Sequence, residues 1–87
     1  MQNYDNNFSC EKDMVDCLNR GCEVEFLFHE KKYSITHLED GKILISEFYH
    51  LGSEKIYTDA SQALEYEIDG KSLKEIIPEM KIIDRSF

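Results

Sequence analysis

Closely spaced carboxylates are the residues of this chain whose types and spacing most readily suggest chemistry. They are Glu23 with Glu25, Glu39 with Asp40, and Glu65 with Glu67 and Asp69. Glycoside hydrolysis needs two carboxyl groups across a cleft, one of them with a raised pKa, and a chain of 87 residues offers no obvious cleft. Carboxylates two apart on a strand lie about 6.6 Å from each other, because a strand rises about 3.3 Å per residue. That spacing resembles neighbouring backbone phosphates, so we expect a partner-binding or simply solvated role rather than catalysis.

The three cysteines, Cys10, Cys17 and Cys22, do not form a Cys-x-x-Cys motif, and their number is odd. A disulfide framework in a secreted chain favours an even number, so we expect reduced thiols in the cytosol. Cys10 lies near a predicted helix N-terminus, the best position for a nucleophile. We expect Glu11 and Asp13 to raise the pKa of its thiol, which argues against catalysis.

Three histidines and four glycines complete the search for a catalytic, metal or nucleotide site. His29, His37 and His50 are not spaced like zinc ligands, and we expect them at strand ends on the surface. The glycines are scattered at predicted element ends, so no phosphate-binding loop is formed. The sequence therefore predicts a protein that is not an enzyme and has no metal and no cofactor.

The composition narrows the class of partner. The formal net charge is −8, from 18 acidic and 10 basic residues, and such a surface repels nucleic acid and anionic membranes. The same charge attracts a basic protein surface, although it can also act only to keep a small protein soluble. The polar N-terminus does not resemble a signal peptide, so we expect a cytoplasmic protein.

The first half of the chain predicts a helix followed by an antiparallel meander. We expect residues 1–8 to form a polar arm that Tyr4 and Phe8 can pin to the body, and Ser9 to cap a helix over residues 10–20. Alternating apolar residues then predict a hairpin over residues 23–37. A third strand over residues 42–50 has Ile43 and Ile45 on one face and Leu44 and Phe48 on the other, which predicts a central or helix-covered strand. A short edge strand follows over residues 54–58.

The second half predicts two short helices and an extended tail. Asp59 is positioned to cap the first helix, and Ser72 with Glu75 forms a capping box for the second, which Pro78 ends. Residues 80–83 are expected to form a final strand or an extended strap. The predicted fold class is α+β, a single domain over residues 9–87. It has an N-terminal helix, a three- to four-stranded antiparallel meander sheet and two short C-terminal helices. Three tyrosines are expected to be half-buried in the sheet: Tyr33, Tyr49 and Tyr57.

Two stretches within residues 21–83 resemble small proteins carried by phages and mobile elements of Gram-positive bacteria. Those proteins share a KxYSI strand and a DGKxLKEI helix entry. The matching residues are Lys31, Tyr33, Ser34 and Ile35, then Asp69, Gly70, Lys71, Leu73, Lys74, Glu75 and Ile76. In size, charge and layout the chain also resembles small acidic anti-CRISPR inhibitors, some of which mimic DNA. These resemblances imply where turns, helix caps and core residues lie, and they imply no particular chemistry.

The sequence therefore favours a small acidic interaction module of phage or mobile-element origin, working in the host bacterial cytoplasm. We expect such a module to act in counter-defence, by binding the basic surface of a nucleic-acid-binding effector. The expected partner-binding residues are Glu23, Glu25, Glu39, Asp40, Glu65, Glu67 and Asp69. The alternative is an accessory domain that homodimerises or binds a small ligand, in a pocket lined by Phe26, Phe28 and Tyr33. Both a monomer and a homodimer remain open.

Overall fold

A computed structural model describes residues 7–86 of the chain, so the expected role of Tyr4 lies outside the described residues. The first helix, α1, runs over Glu11–Asn19 with Cys10 at the N-cap position. Ser9 was predicted to be the cap, and this is wrong by one residue. The carboxylate of Asp13 reaches back and accepts a hydrogen bond from Ser9 N at 3.0 Å, so Ser9 lies just outside the helix.

Five antiparallel strands form the main sheet. The meander strands are β1 (Glu23–Phe28), β2 (Lys31–His37), β3 (Ile43–Glu47) and β4 (Lys55–Tyr57). Helix α2 (Ala60–Ala63), a two-stranded ribbon of β5 (Glu67–Ile68) and β6 (Lys71–Ser72), helix α3 (Leu73–Ile76) and a 3₁₀ turn (Ile77–Glu79) follow. Strand β7 (Lys81–Ser86) completes a sheet of order β4-β3-β2-β1-β7.

The α+β class, the N-terminal helix, the meander and the two short C-terminal helices are confirmed. The tail left open between a strand and a strap is a strand: β7 pairs with β1 along its outer edge, with an irregularity at Glu25/Phe26. Both predicted caps are present. Asp59 Oδ1 accepts a hydrogen bond from Gln62 N at 2.9 Å, and Ser72 with Glu75 forms the capping box.

The turn between β1 and β2 contains only His29 and Glu30, because Phe28 pairs with Lys31 across it. Both residues have positive φ, 51° and 68°. A two-residue hairpin of this kind matches the twist of its strands but favours Asn-Gly. The sequence predicts the turn within residues 29–32, which is confirmed, and the absence of that pair is why its register could not be predicted.

All the helices pack against one face of the sheet, which we call the covered face. Its strand residues alternate with outward-facing ones and join the helices in one core. The most deeply buried side chains of this core include Met14, Leu18, Val24, Phe26, Ile35, Ile45, Leu64, Leu73, Ile76 and Met80. Phe8 is buried there too. Phe26 and Tyr33 stack with ring centroids 5.2 Å apart, so the ligand pocket imagined beside Phe26, Phe28 and Tyr33 is filled by packed side chains.

The opposite face of the sheet, which we call the open face, has no helix from the described part of the chain on it. Leu44 and Phe48 lie on this face and are only half-buried, and Ile56 on β4 is 57% exposed. Strand β3 is central, as predicted, because it pairs with β2 and with β4, but helices cover only one of its two faces. Its neighbours on the open face are Ser34 and Ser46, whose hydroxyls lie 3.3 Å apart. Such small polar groups do not make a second core.

Cys17 and Cys22 are joined as a disulfide, which corrects the expectation of three reduced thiols. The cause is the C-terminal end of α1. The chain turns over Gly21, Cys22 N donates to the carbonyl oxygen of Cys17 at 3.1 Å, and the two Cα atoms come within 5.3 Å, inside the range for a disulfide. Only Cys10 is a free thiol.

Candidate functional site

Strand β1 places two of the expected partner-binding carboxylates on the open face. Because Val24 is buried, Glu23 and Glu25 on either side of it point away from the core. Lys32 Nζ lies 3.4 Å from Glu25 Oε1 and 4.5 Å from the ring centroid of Phe48. The open face therefore carries a mixed row of carboxylate, ammonium and aromatic ring.

The loop between β3 and β4, residues 48–54, adjoins the open face and presents two large apolar side chains. Tyr49 is 101% exposed and Leu51 is 94% exposed, so the prediction that Tyr49 is half-buried is wrong. The loop is nevertheless ordered by hydrogen bonds. Ser53 Oγ accepts from Glu47 N at 2.9 Å and donates to the carbonyl oxygen of His50 at 2.8 Å.

Tyr49 has φ +63°, a backbone conformation that costs a side-chain-bearing residue about 1–2 kcal/mol. His29, Glu30 and Asp69, which also lie in turns, share this conformation. A cavity of about 500 Å³ opens beside it, lined by Ser46, Phe48, Leu51 and Glu54 among others. We call the open face together with the loop over residues 48–54 the sheet-face surface.

The remaining predicted carboxylates do not join this surface. Glu39 and Asp40 lie in the turn between β2 and β3, where Asp40 Oδ1 accepts from Lys42 N at 3.1 Å. That turn is at the end of the sheet opposite the 48–54 loop. Asp69 lies in the β5–β6 turn, with its Oδ2 3.1 Å from His29 Nδ1. The seven carboxylates are thus distributed over separate parts of the molecule.

Glu65 and Glu67 line a second cavity, of about 510 Å³, on the covered side of β4. Sequence reasoning missed two of the residues that meet them there, Glu47 from the end of β3 and Tyr66. The signal available for Tyr66 was its position between two acidic residues, with Ala63 and Leu64 just before it in the apolar face of α2. That signal places Tyr66 inward but does not reveal a cavity.

Burial is the main reason that tyrosine hydroxyls near this cavity hold their protons more tightly. Burial, then the carboxylate of Glu47, raises the pKa of Tyr66. Burial, then Glu67 and Glu65, raises the pKa of Tyr57, and burial with Glu47 next raises the pKa of Tyr33 to about 12. These hydroxyls are therefore neutral at physiological pH. The predicted half-burial holds for Tyr57, whereas Tyr33 is fully buried.

Cys10 and the histidines form no catalytic constellation. The backbone N–H of Asp13, then the hydroxyl of Ser9, lowers the pKa of Cys10. The charge of the Asp13 carboxylate raises that pKa, as expected, but these hydrogen bonds outweigh it. His37 is not a surface residue: it is partly buried, and its Nε2 donates to the carbonyl oxygen of Leu18 at 2.9 Å. His29 and His50 are exposed and each lies near one carboxylate, Asp69 and Glu47 respectively.

Within residues 7–86, no group of three or more histidine, cysteine or acidic side chains is arranged to hold a metal ion. The helices in that range are also too short and too polar to cross a bilayer. Comparison of the chain with protein-family models, with curated proteins and with solved structures finds no match. The functional argument therefore depends on the sheet-face surface and on the cavity lined by Glu65 and Glu67.

Proposed function

We propose that this chain is a non-catalytic protein-interaction module that binds a basic partner protein through its sheet-face surface. The observation that carries the proposal is the pair Tyr49 and Leu51, fully exposed on a loop that hydrogen bonds hold in place. Exposed aromatic and aliphatic anchors of this kind are the usual centre of a protein interface.

The negative charge of the chain favours a basic protein as the partner. Glu25 and Glu54 flank the apolar groups, and Lys32 is already engaged by Glu25 and Phe48. Glu23 adds a carboxylate toward the other end of the open face. With a net charge of −8 on the whole chain, a basic surface is attracted and a nucleic acid is repelled. A groove that ordinarily holds DNA or RNA has the complementary chemistry. Occluding it would make the protein a counter-defence inhibitor of phage or mobile-element origin, acting in the bacterial cytoplasm.

The test measures binding to a purified RNA-guided nuclease lacking its guide, whose channel is strongly basic. Lysozyme serves as a basic protein without such a channel. We expect retention of the nuclease at about 0.05 M salt and release by about 0.5 M, because screening removes the charge attraction. Absence of retention by a panel of such effectors at low salt overturns the proposal.

Two variants locate the binding surface. Tyr49→Ser with Leu51→Ser is expected to weaken binding more than about tenfold, since it removes the apolar anchors. Glu25→Gln with Glu54→Gln is expected to weaken it about three- to tenfold. The matched control is Glu39→Gln with Glu79→Gln, which removes the same charge elsewhere. Equal losses in the two charge variants would show that net charge, and not this surface, drives binding.

A further inference from the structure

The cavity on the covered side of β4 has walls from four parts of the chain, one of which is the 48–54 loop. Glu47 comes from the end of β3, Lys55 and Tyr57 come from β4, and Glu65, Tyr66 and Glu67 come from the segment between α2 and β5. At about 510 Å³ it lies within the range of small-molecule sites. It lies on the other side of β4 from the open face, because β4 turns Ile56 to the open face and its two neighbours to the cavity. It adjoins the sheet-face surface at the 48–54 loop, which contributes His50 and Ser53 to both.

Tyr66 gives this cavity a feature that the fold does not require. Its side chain is only 7% exposed, and its ring meets Tyr33 edge-on with centroids 6.5 Å apart. Its hydroxyl makes no hydrogen bond to any residue between 7 and 86, yet it is not sealed from solvent, because the buried side-chain polar atom without a partner in that range is His37 Nδ1. Since Tyr66 lines the cavity, its hydroxyl is open there to water or to a ligand. A ligand that displaces this water and donates a hydrogen bond to the hydroxyl oxygen replaces the interaction that it removes.

The charges around the cavity select the sign of that partner. Three carboxylates face a single ammonium, that of Lys55. Glu65 Oε2 is paired with Lys74 Nζ at 2.9 Å, and Glu47 Oε1 lies 3.4 Å from His50 Nδ1, whereas Glu67 has no ion pair with any described residue. A negatively charged ligand would meet repulsion here, and a positively charged one would be attracted.

The aromatic rings select an organic cation. Tyr57 and Tyr66 both line the cavity, and aromatic rings attract an ammonium group. The carboxylates and the tyrosine hydroxyls can accept its N–H groups. Burial is the main cause of the raised pKa of both tyrosines, and the carboxylates of the cavity raise the pKa further.

We propose that this cavity binds a primary alkylammonium group, with Tyr66 and Glu67 as its principal acceptors. A free polyamine and a lysine side chain of another protein both carry that group. The proposal does not depend on the sheet-face interaction, because none of the variants proposed there alters Tyr66 or Glu67.

Calorimetric titration with spermidine, with N-acetyl-lysine amide and with a lysine-rich peptide tests the proposal and separates the two sources. We expect saturable 1:1 binding of at least one of the three and none of sodium acetate. Tighter binding of spermidine indicates a free polyamine, and tighter binding of the peptide indicates a partner lysine. Failure of all three to bind at millimolar concentration overturns the proposal.

Two single variants and one control tie the binding to this cavity. Tyr66→Phe keeps the ring and removes the hydroxyl, and we expect about tenfold weaker binding. The side chain of Glu67 is exposed, so Glu67→Gln does not disturb the core. We expect this variant to weaken binding about three- to tenfold. Glu79→Gln removes one charge outside the cavity and should leave affinity unchanged. The proposal is wrong if Glu79→Gln weakens binding as much as Glu67→Gln, or if Tyr66→Phe and Glu67→Gln both leave binding intact.

Discussion

The two faces of the same five strands have opposite surroundings. On β3, Ile45 faces the helices and is 0% exposed, whereas its neighbour Leu44 faces away and is only half-buried. Both are aliphatic residues in one strand, so hydrophobicity alone does not decide which face is covered. What differs is the supply of partners: α1, α2 and α3 all bring their apolar residues to one side. The covered face holds the fold together, and the open face is left available for binding.

The largest effect that tests this comparison is expected from paired truncations on β3. Ile45→Ala should lower the free energy of unfolding by about 3–4 kcal/mol, because it opens a cavity in the core. Leu44→Ala should cost less than about 1 kcal/mol, since solvent already reaches the site. Urea unfolding followed by circular dichroism measures both. Similar losses would mean that the open face is buried, for example in a dimer.

A smaller effect is expected in the layer that covers the sheet. Asp59→Ala removes the cap of α2, and we expect a loss of about 1 kcal/mol in the free energy of unfolding. The exposed residue Ser61 in the same helix provides the control, because Ser61→Ala removes no cap and favours helix. If Asp59→Ala is as stable as Ser61→Ala, α2 contributes little to covering the sheet.

A third effect appears only in acid and concerns the attachment of α1 to the edge of the sheet. The backbone N–H of Ser9, together with the Arg85 guanidinium 2.9 Å away, lowers the pKa of Asp13 below its usual 3.8. A lowered pKa contributes stability above pH 3.8, and that stability is lost as the pH falls through the folded-state pKa.

Asp13→Asn should therefore be less stable than the native chain at neutral pH and lose less stability below pH 4. Urea unfolding at a series of pH values measures the difference between the two chains, in which the contributions of other carboxylates cancel. Parallel pH profiles for the two chains would contradict the assignment to Asp13.

The smallest effect is expected on the open face. Lys32→Ala removes the contacts to Glu25 and Phe48, yet the pair is exposed to solvent, so we expect a change of about 0.5 kcal/mol or less. Thermal unfolding at low and high salt measures it. A loss above 1 kcal/mol would mean that this cluster has a structural role that its exposure does not indicate.

Local sequence signals account well for the elements of the fold and poorly for the relations between them. Asp59 and Ser72 could be identified as caps because capping depends on residues three positions apart. Strand β7 could not be assigned, because its partner β1 is distant in sequence. The burial of Leu44 could not be predicted either, since alternation indicates two apolar faces without saying which one the helices cover.

The candidate site was harder to predict from the sequence than the fold. The sequence located the acidic pair Glu65 and Glu67, but Glu47 and Tyr66 meet them only through the folding of β3 and β4 against the α2–β5 segment. The exposure of Tyr49 was also hidden, because KILISEFYH continues as an apolar run past Glu47, the last residue of β3. A positive φ at a tyrosine carries no sequence signal.

The pairing of β7 with β1 has a consequence for synthesis on the ribosome. The meander can close as soon as β4 has emerged, but β1 then remains an outer strand until the last element of the sheet is made. During that interval its backbone donors and acceptors are open to pairing with another nascent chain. Glu23 and Glu25, which point outward from β1, give such an encounter two like charges on each chain, so the acidic strand also protects the unfinished molecule from its own copies.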